Sequence, residues 1–445
     1  MTDSDLKALN VDGSVHSSTN GVQPGTRRLL ALDVLRFVAV FLVLVHHALP
    51  GWLRAVPVPH ELSKAIARGG WLGVDLFFVL SGYLIAGLLF REYKLNQNIR
   101  FGRFLVRRGL KIYPAFYFLL AITVLTAWVT RGTVPRNWLS ELLFMQSYFG
   151  GIWGHTWSLA IEEHFYLVLP LALFLLLKLK TSTRDTFAWI PRVCVGLCLA
   201  ILALRCVNAL TTEFSPLTHF KPTHIRADAL IFGVLLSYLH NFRTKSFEDF
   251  CSRYYYCLVA GGLWLWLPAF LGDLKTTPFL YSLGFTQFYI GSGMLVSAFV
   301  VRGIRANRFT KTLATIGTFS YSIYLWHWPV KVWGVQWLRS LEVEWLTNGL
   351  VFTLYLASSV LVGVLMAKLV EFPVLRFRDR FFPRRVASPK KDALREYEVP
   401  LAGNPILVPV PAPSVPLDSA PSETFSTEPG VGDEPVVVEV PTAPV

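Results

Sequence analysis

An all-α, polytopic transmembrane helical bundle of about ten spans is the fold class this sequence predicts, on three observations. Of 445 residues, 53% are hydrophobic and only 16% charged, with a mean hydropathy of +0.46, and the apolar residues come in runs long enough to cross a bilayer. Lys and Arg gather in short clusters at the ends of those runs, as membrane-orientation signals do. Beyond Arg385 the chain turns to Pro, Val, Ala, Ser and Glu without helical or strand period, which predicts a disordered, extended tail over residues 386 to 445.

Residues 1 to 28 are polar, rich in Ser, Thr, Asn and Gly. They lack the apolar core of a secretory leader, so they are expected to be disordered and the first span to serve as its own anchor. Residues 29 to 385 form the membrane domain. Within it, windows of about twenty residues place spans near 29 to 50, 71 to 90, 110 to 130, 157 to 177, 189 to 210, 226 to 242, 254 to 271, 280 to 301, 312 to 333 and 347 to 369. The sixth is the weakest. The apolar piece from Trp138 to Phe149 is too short to cross and reads as an interfacial or re-entrant helix. With the N-terminus inside, the inner loops hold most of the Lys and Arg, among them Arg100, Arg103, Arg107, Arg108 and Lys111. Both termini are therefore expected in the cytoplasm of a bacterial inner-membrane protein.

The net charge of +13 does not indicate nucleic acid, because the basic residues flank apolar segments. The five cysteines, Cys194, Cys198, Cys206, Cys251 and Cys257, have no CxxC spacing, so neither a disulfide framework nor a metal site is expected. No GxxxxGKS or GxGxxG motif points to ATP or NAD, and no HExxH to a metalloprotease.

Function is written in the ionisable residues inside apolar runs, where they are costly and usually serve a purpose. Arg36 and His47 lie eleven residues apart in the first span, about three helical turns, on one stripe and roughly 16 Å apart along the axis. His46 is turned about 80° away. At the same outer depth lie Asp75, His155, Trp157, Ser158, Glu162, Glu163, His164, Arg226, Asp228 and His327, from four further spans. Singly, these are helix caps and first-turn acids. Together they suggest a cavity with acid and base groups. On the inner side, Arg100, Arg103, Arg107 and Lys111 follow helical spacing, a positive stripe suited to a polyanionic ligand such as coenzyme A, although an orientation signal explains much of it.

The segments LDVLRFVAVFLVLVHH, GVDLFFVLSGYLI, RFLVRRGLKIYP, HTWSLAIEEHFYLVLP, RADALIFG, GTFSYSIYLWHWP and VEFPVLRF, in this order, resemble the motifs of the bacterial acyltransferase type 3 family. These are membrane O-acyltransferases that modify envelope and secreted glycans. The resemblance implies that Arg36 and His47 carry the first-helix arginine–histidine motif. It implies acyl-CoA, with acetyl-CoA the expected form, as the donor, and a glycan or glycolipid hydroxyl as the acceptor. Some members carry an extracytoplasmic esterase-like domain that assists transfer, whereas here the chain is expected to end in a disordered tail on the opposite side, so that a second domain, where one is needed, would come from a separate helper protein.

The chemistry agrees. O-acylation needs a base for the attacking hydroxyl, and a partly buried neutral imidazole suits that task, with His47 the candidate. Glu162 or Glu163 would orient it, Glu162 being preferred because it lies four residues after Ser158. Arg36 either faces the polar arm of the donor or pairs with Asp33. Arg103, Arg107 and Lys111 would hold the donor phosphates, and the other outer residues the acceptor. A proton-coupled transporter or flippase would use similar groups, but no inverted repeat or paired broken helices are visible to support it.

Overall fold

The computed structural model describes residues 24–48, 60–178, 186–340 and 347–382. The polar N-terminal segment up to residue 23 and the Pro-rich tail lie outside the described residues. Among the described residues the fold is all-helical, without strands.

Helix α1, Pro24–His47, carries the first apolar run. The short amphipathic α2, His60–Gly69, turns Glu61, Lys64 and Arg68 outward. It leads into α3, Leu72–Asn96, which is buried along most of its length and forms the centre of the bundle. Gln97 ends α3 in a left-handed conformation (φ 52°), its N–H bonded to the Tyr93 carbonyl. Helix α4, Phe101–Arg131, closes the same way on Gly132. The apolar piece after it forms two short helices, α5 (Trp138–Leu142) and α6 (Gln146–Phe149).

Then come α7 (Trp157–Lys178), α8 (Ile190–Thr211), the single turn α9 (Pro216–His219) and α10 (Asp228–Phe242). Helices α11 (Thr244–Arg253) and α12 (Tyr255–Leu271) meet at a 77° bend. Helix α13 (Phe285–Arg302) follows a π turn, Leu280–Gly284. Helix α14, Arg308–Thr318, starts at a capping box: the Thr310 N–H donates to the Asn307 side chain (2.8 Å), and the Asn307 N–H to Thr310 Oγ1 (3.0 Å). It gives way at Phe319 to α15, Ser320–Pro329, which runs through a π turn, Val330–Val335, into α16, Gln336–Ser340. The described chain closes with α17, Asn348–Met366, and α18, Phe372–Phe381, joined by a third π turn.

Seven of these helices are long and apolar enough to cross a membrane, or eight if α11 and α12 count as one bent span. The expectation of about ten is reduced at identifiable places. The sixth span is α10, only 15 residues long. The ninth is divided at Phe319, because a hydropathy window averages over a break that leaves composition unchanged.

The bundle is packed by close backbone approach, which is how helices associate where lipid removes the hydrophobic drive between them. Helices α3 and α10 cross at paired glycines: a Cβ on Gly82 would stand 2.0 Å from the Leu230 carbonyl oxygen, and one on Gly233 2.4 Å from that of Val79. Gly317 likewise lets α14 lie on α1, since a Cβ there would meet the Asp33 carbonyl at 1.9 Å. Helix α15 in turn packs against α1 and α17, which brings His327 to the end of α1.

Candidate active site

The last turn of α1 is fastened from two sides. Ala48 N–H reaches back only to Val45 (3.2 Å), and the Leu44 carbonyl instead accepts from the Tyr355 hydroxyl of α17 (3.3 Å). His46 Nδ1 is 2.6 Å from the Ala67 carbonyl of α2, which makes His46 a tie between helices. His47 turns the other way. Its Nδ1 lies 3.0 Å from Nε2 of His327 on α15, and its ring edge meets Trp328 with centroids 4.5 Å apart.

The motif SYSIYLWHWP explains the partner side. Pro329 has no N–H to give the Leu325 carbonyl four residues before it. That oxygen takes a bond from His155 Nε2 instead (3.2 Å), just ahead of α7. The His155 ring stacks on Trp328 with planes 9° apart and meets the His327 ring edge-on at 4.8 Å. His327 Nδ1 lies 2.5 Å from the Tyr324 carbonyl. The Tyr324 hydroxyl donates to the His155 carbonyl (2.7 Å) and sits 2.6 Å from Ser158 Oγ. His155 and His327 are 1% and 0% exposed. His47, His155, Ser158 and His327 thus converge, and Tyr324 and Trp328, absent from the sequence-based selection, complete the group.

Glu162 is not among the described contacts of His47. It lies with Ser81, Tyr166 and Arg108 in a second polar cluster. There the Arg108 guanidinium sits 4.0 Å over the Tyr166 ring and bonds its hydroxyl, which also bonds Ser81. Glu163 faces Arg108 and Tyr113. Arg108, Tyr113, Phe144, Glu163, His164 and Tyr166 line a groove of about 570 Å³ between α4 and α7. Glu162 lies four residues after Ser158 on α7, whereas the side chain that His47 Nδ1 meets belongs to His327, 280 residues away.

Arg36 pairs with Asp33, one of its two alternatives. The basic stripe of α4 is divided in space. Arg107 donates to Asp379 of α18 (3.0 Å) and to the Phe382 carbonyl, whereas Lys111 faces Arg108 and Glu371. Glu371 accepts from Ser322 (2.8 Å). Arg103 is half-buried and makes no ion pair among the described residues.

Asp75, Arg226 and Asp228 do not reach the histidines through any described contact. Arg226 pairs with Asp75 (2.9 Å), and Asp228 with Arg205 (2.7 Å), every one of these side chains at most 2% exposed. Arg205 was not selected from the sequence, although an arginine in the middle of IPRVCVGLCLAILALRCVNALT is itself a signal. Trp157 packs edge-on against Phe78 and beside Phe220, in the aromatic core.

The acyltransferase domain profile of the acyltransferase 3 family matches residues 29–368, from the start of the first apolar run through α17. The chain belongs to the acyltransferase 3 family. Among curated family relatives, peptidoglycan O-acetyltransferase OatA of Listeria monocytogenes is 28% identical over 324 residues, covering 67% of this chain and 49% of the relative. O-acetyltransferase OatA of Staphylococcus aureus is 27% identical over 396 residues, covering 82% and 60%. The chain spans about half to three fifths of the length of these relatives. No solved structure matches this acyltransferase 3 chain. Both the arginine–histidine pair of α1 and the histidine of α15 fall inside the matched region.

Proposed function

We propose that the protein is a membrane O-acyltransferase that moves an acyl group, acetyl by the names of its relatives, from acyl-CoA to a hydroxyl of an envelope glycan. The observation that carries this reading is the convergence of His47, His155 and His327 at the junction of α1, α7 and α15, within the family-matched region. His47 serves as general base: it takes the acceptor hydroxyl proton as the oxygen attacks the thioester carbonyl, and the proton leaves with the coenzyme A thiol. Arg103, with Arg107 and Lys111 near it along α4, supplies positive charge for the donor phosphates. The groove beside Arg108 and Glu163 offers room along α4 for the donor arm.

In this reading both termini are cytoplasmic in a bacterial inner membrane, the basic end of α4 faces the donor, and the histidine end faces the acceptor. Peptidoglycan is the first acceptor to test, because it is the substrate class in the name of the Listeria relative. The test compares ester-linked acetyl on purified glycans from a deletion strain complemented with wild-type protein or with His47→Ala. Loss of acetyl in the deletion strain that wild type restores and the variant does not supports the reading, and equal acetylation in all strains removes it.

A further inference from the structure

We propose that His327 is a positioning residue that fixes the tautomer of His47, so that Nε2 of His47 is the nitrogen that takes the proton. This rests on the reading of His47 as the base and says how the base is prepared.

The Tyr324 carbonyl oxygen only accepts, so His327 Nδ1, 2.5 Å away, carries a hydrogen. The described contacts of His327 include no carboxylate that would hold a second proton on this ring, which is 0% exposed. In the neutral ring, Nε2 is then a bare lone pair. The nitrogen 3.0 Å from it, His47 Nδ1, must be the donor. With its hydrogen on Nδ1, neutral His47 has its lone pair on Nε2, and Nε2 makes no hydrogen bond to any described residue. One backbone carbonyl thereby sets the protonation pattern of two imidazoles in series.

The other groups near His47 have partners of their own: Lys331, the cation facing it, holds its ammonium 5.1 Å from the centre of the Trp328 ring. His46 is tied to Ala67, and His155 donates through Nε2 to Leu325, the carbonyl released by Pro329. Glu162 lies with Ser81, Tyr166 and Arg108. His327 therefore occupies the place that the acid of a catalytic triad holds, as a neutral acceptor in place of a carboxylate. During transfer the acceptor O–H bond breaks as its oxygen bonds the acyl carbon, the C–S bond to coenzyme A breaks, and the proton passes through His47 Nε2 to the thiolate. The Nδ1–H bond to His327 persists throughout and holds the ring in place.

Full-length protein in nanodiscs, with acetyl-CoA as donor and a muropeptide as acceptor, tests this with four variants: His327→Ala, His327→Gln, His327→Asn and His47→Ala. The Gln amide oxygen can stand where Nε2 stands and accept from His47. The Asn amide reaches only the Nδ1 position. His327→Ala and His327→Asn are expected to lower kcat at least tenfold with KM for acetyl-CoA within twofold of wild type, and His327→Gln to recover most of the loss. A wrong tautomer costs up to about 10⁴ in rate in triad enzymes, so the effect is large enough to read. Equal loss in His327→Gln and His327→Asn, wild-type kcat in His327→Ala, or a loss in KM alone overturns the proposal. If His327→Ala does not fold, the comparison of Gln with Asn decides. Wild-type activity in His47→Ala instead removes the base reading on which the proposal rests.

Discussion

The Arg226 guanidinium lies 2.9 Å from the Asp75 carboxylate with each side chain 1% exposed, and its carbon sits 3.8 Å from the centre of the Phe285 ring. The pair joins the loop before α10 to the first turn of α3, and beside it Arg205 and Asp228 form a second pair across α8 and α10. Two cations and two anions balance inside the bundle.

Removing one partner of such a pair leaves an uncompensated buried charge, which costs about 3–5 kcal/mol. Arg226→Ala should therefore show a much lower melting temperature in detergent, or fail to yield monodisperse protein. A normal melting curve with a raised KM for the acceptor would instead assign Arg226 to the substrate.

The two adjacent histidines of α1 should behave differently. His47→Ala should abolish acyl transfer in a protein that still inserts, since removing a general base forfeits a factor of about 10² to 10⁴. His46→Ala loses one bond to the Ala67 carbonyl, with a net effect of about 0.5–1.5 kcal/mol, and should keep much of its activity. The reverse ranking in a transfer assay would overturn the assignment.

Arg103 provides the cleaner probe of the donor site because it breaks no described ion pair. Arg103→Glu should weaken coenzyme A binding at least tenfold by calorimetry without changing the melting temperature. Arg107→Glu should weaken binding too, but would also lose the bond to Asp379 and loosen α18. Unchanged affinity in Arg103→Glu returns the basic cluster to a membrane-orientation role.

Glu141 in α5 is 1% exposed, and its carboxyl accepts from the Trp153 N–H (3.1 Å) and the Thr156 hydroxyl (2.8 Å). Burial raises its pKa above the usual 4.5, the hydrogen bonds only partly opposing this. The folded chain thus holds the proton more tightly than the unfolded one, and stability falls as pH rises above about 4.5 through the folded value. Glu141→Gln keeps an acceptor and removes the charge. Its melting temperature relative to wild type should be higher at pH 8 than at pH 5, and the opposite trend would refute the account.

Apolar run length was enough to find the spanning helices, because lipid forces every backbone polar group to be satisfied within its own segment. It did not show the break at Phe319, whereas the span it marked as weakest is the short α10. The same division runs through the site. His47, His155, Ser158 and His327 were legible as costly residues at one depth. Their pairing was not, because spacing along one helix favoured Glu162 for His47. His47 instead meets His327, a contact set by where α15 docks, while Pro329 frees the Leu325 carbonyl that holds His155 beside them.

The ring that completes the His47 site is made long after His47 itself. His47 and His327 are separated by 280 residues, so at about 5–20 residues per second roughly 14–56 s of synthesis pass between them. Throughout that interval the amino-terminal helices carry His47 without the ring that it meets in the folded chain. On the reading of His47 and His327 proposed above, a product truncated before α15 would keep His47 in its first helix and yet be silent in acyl transfer.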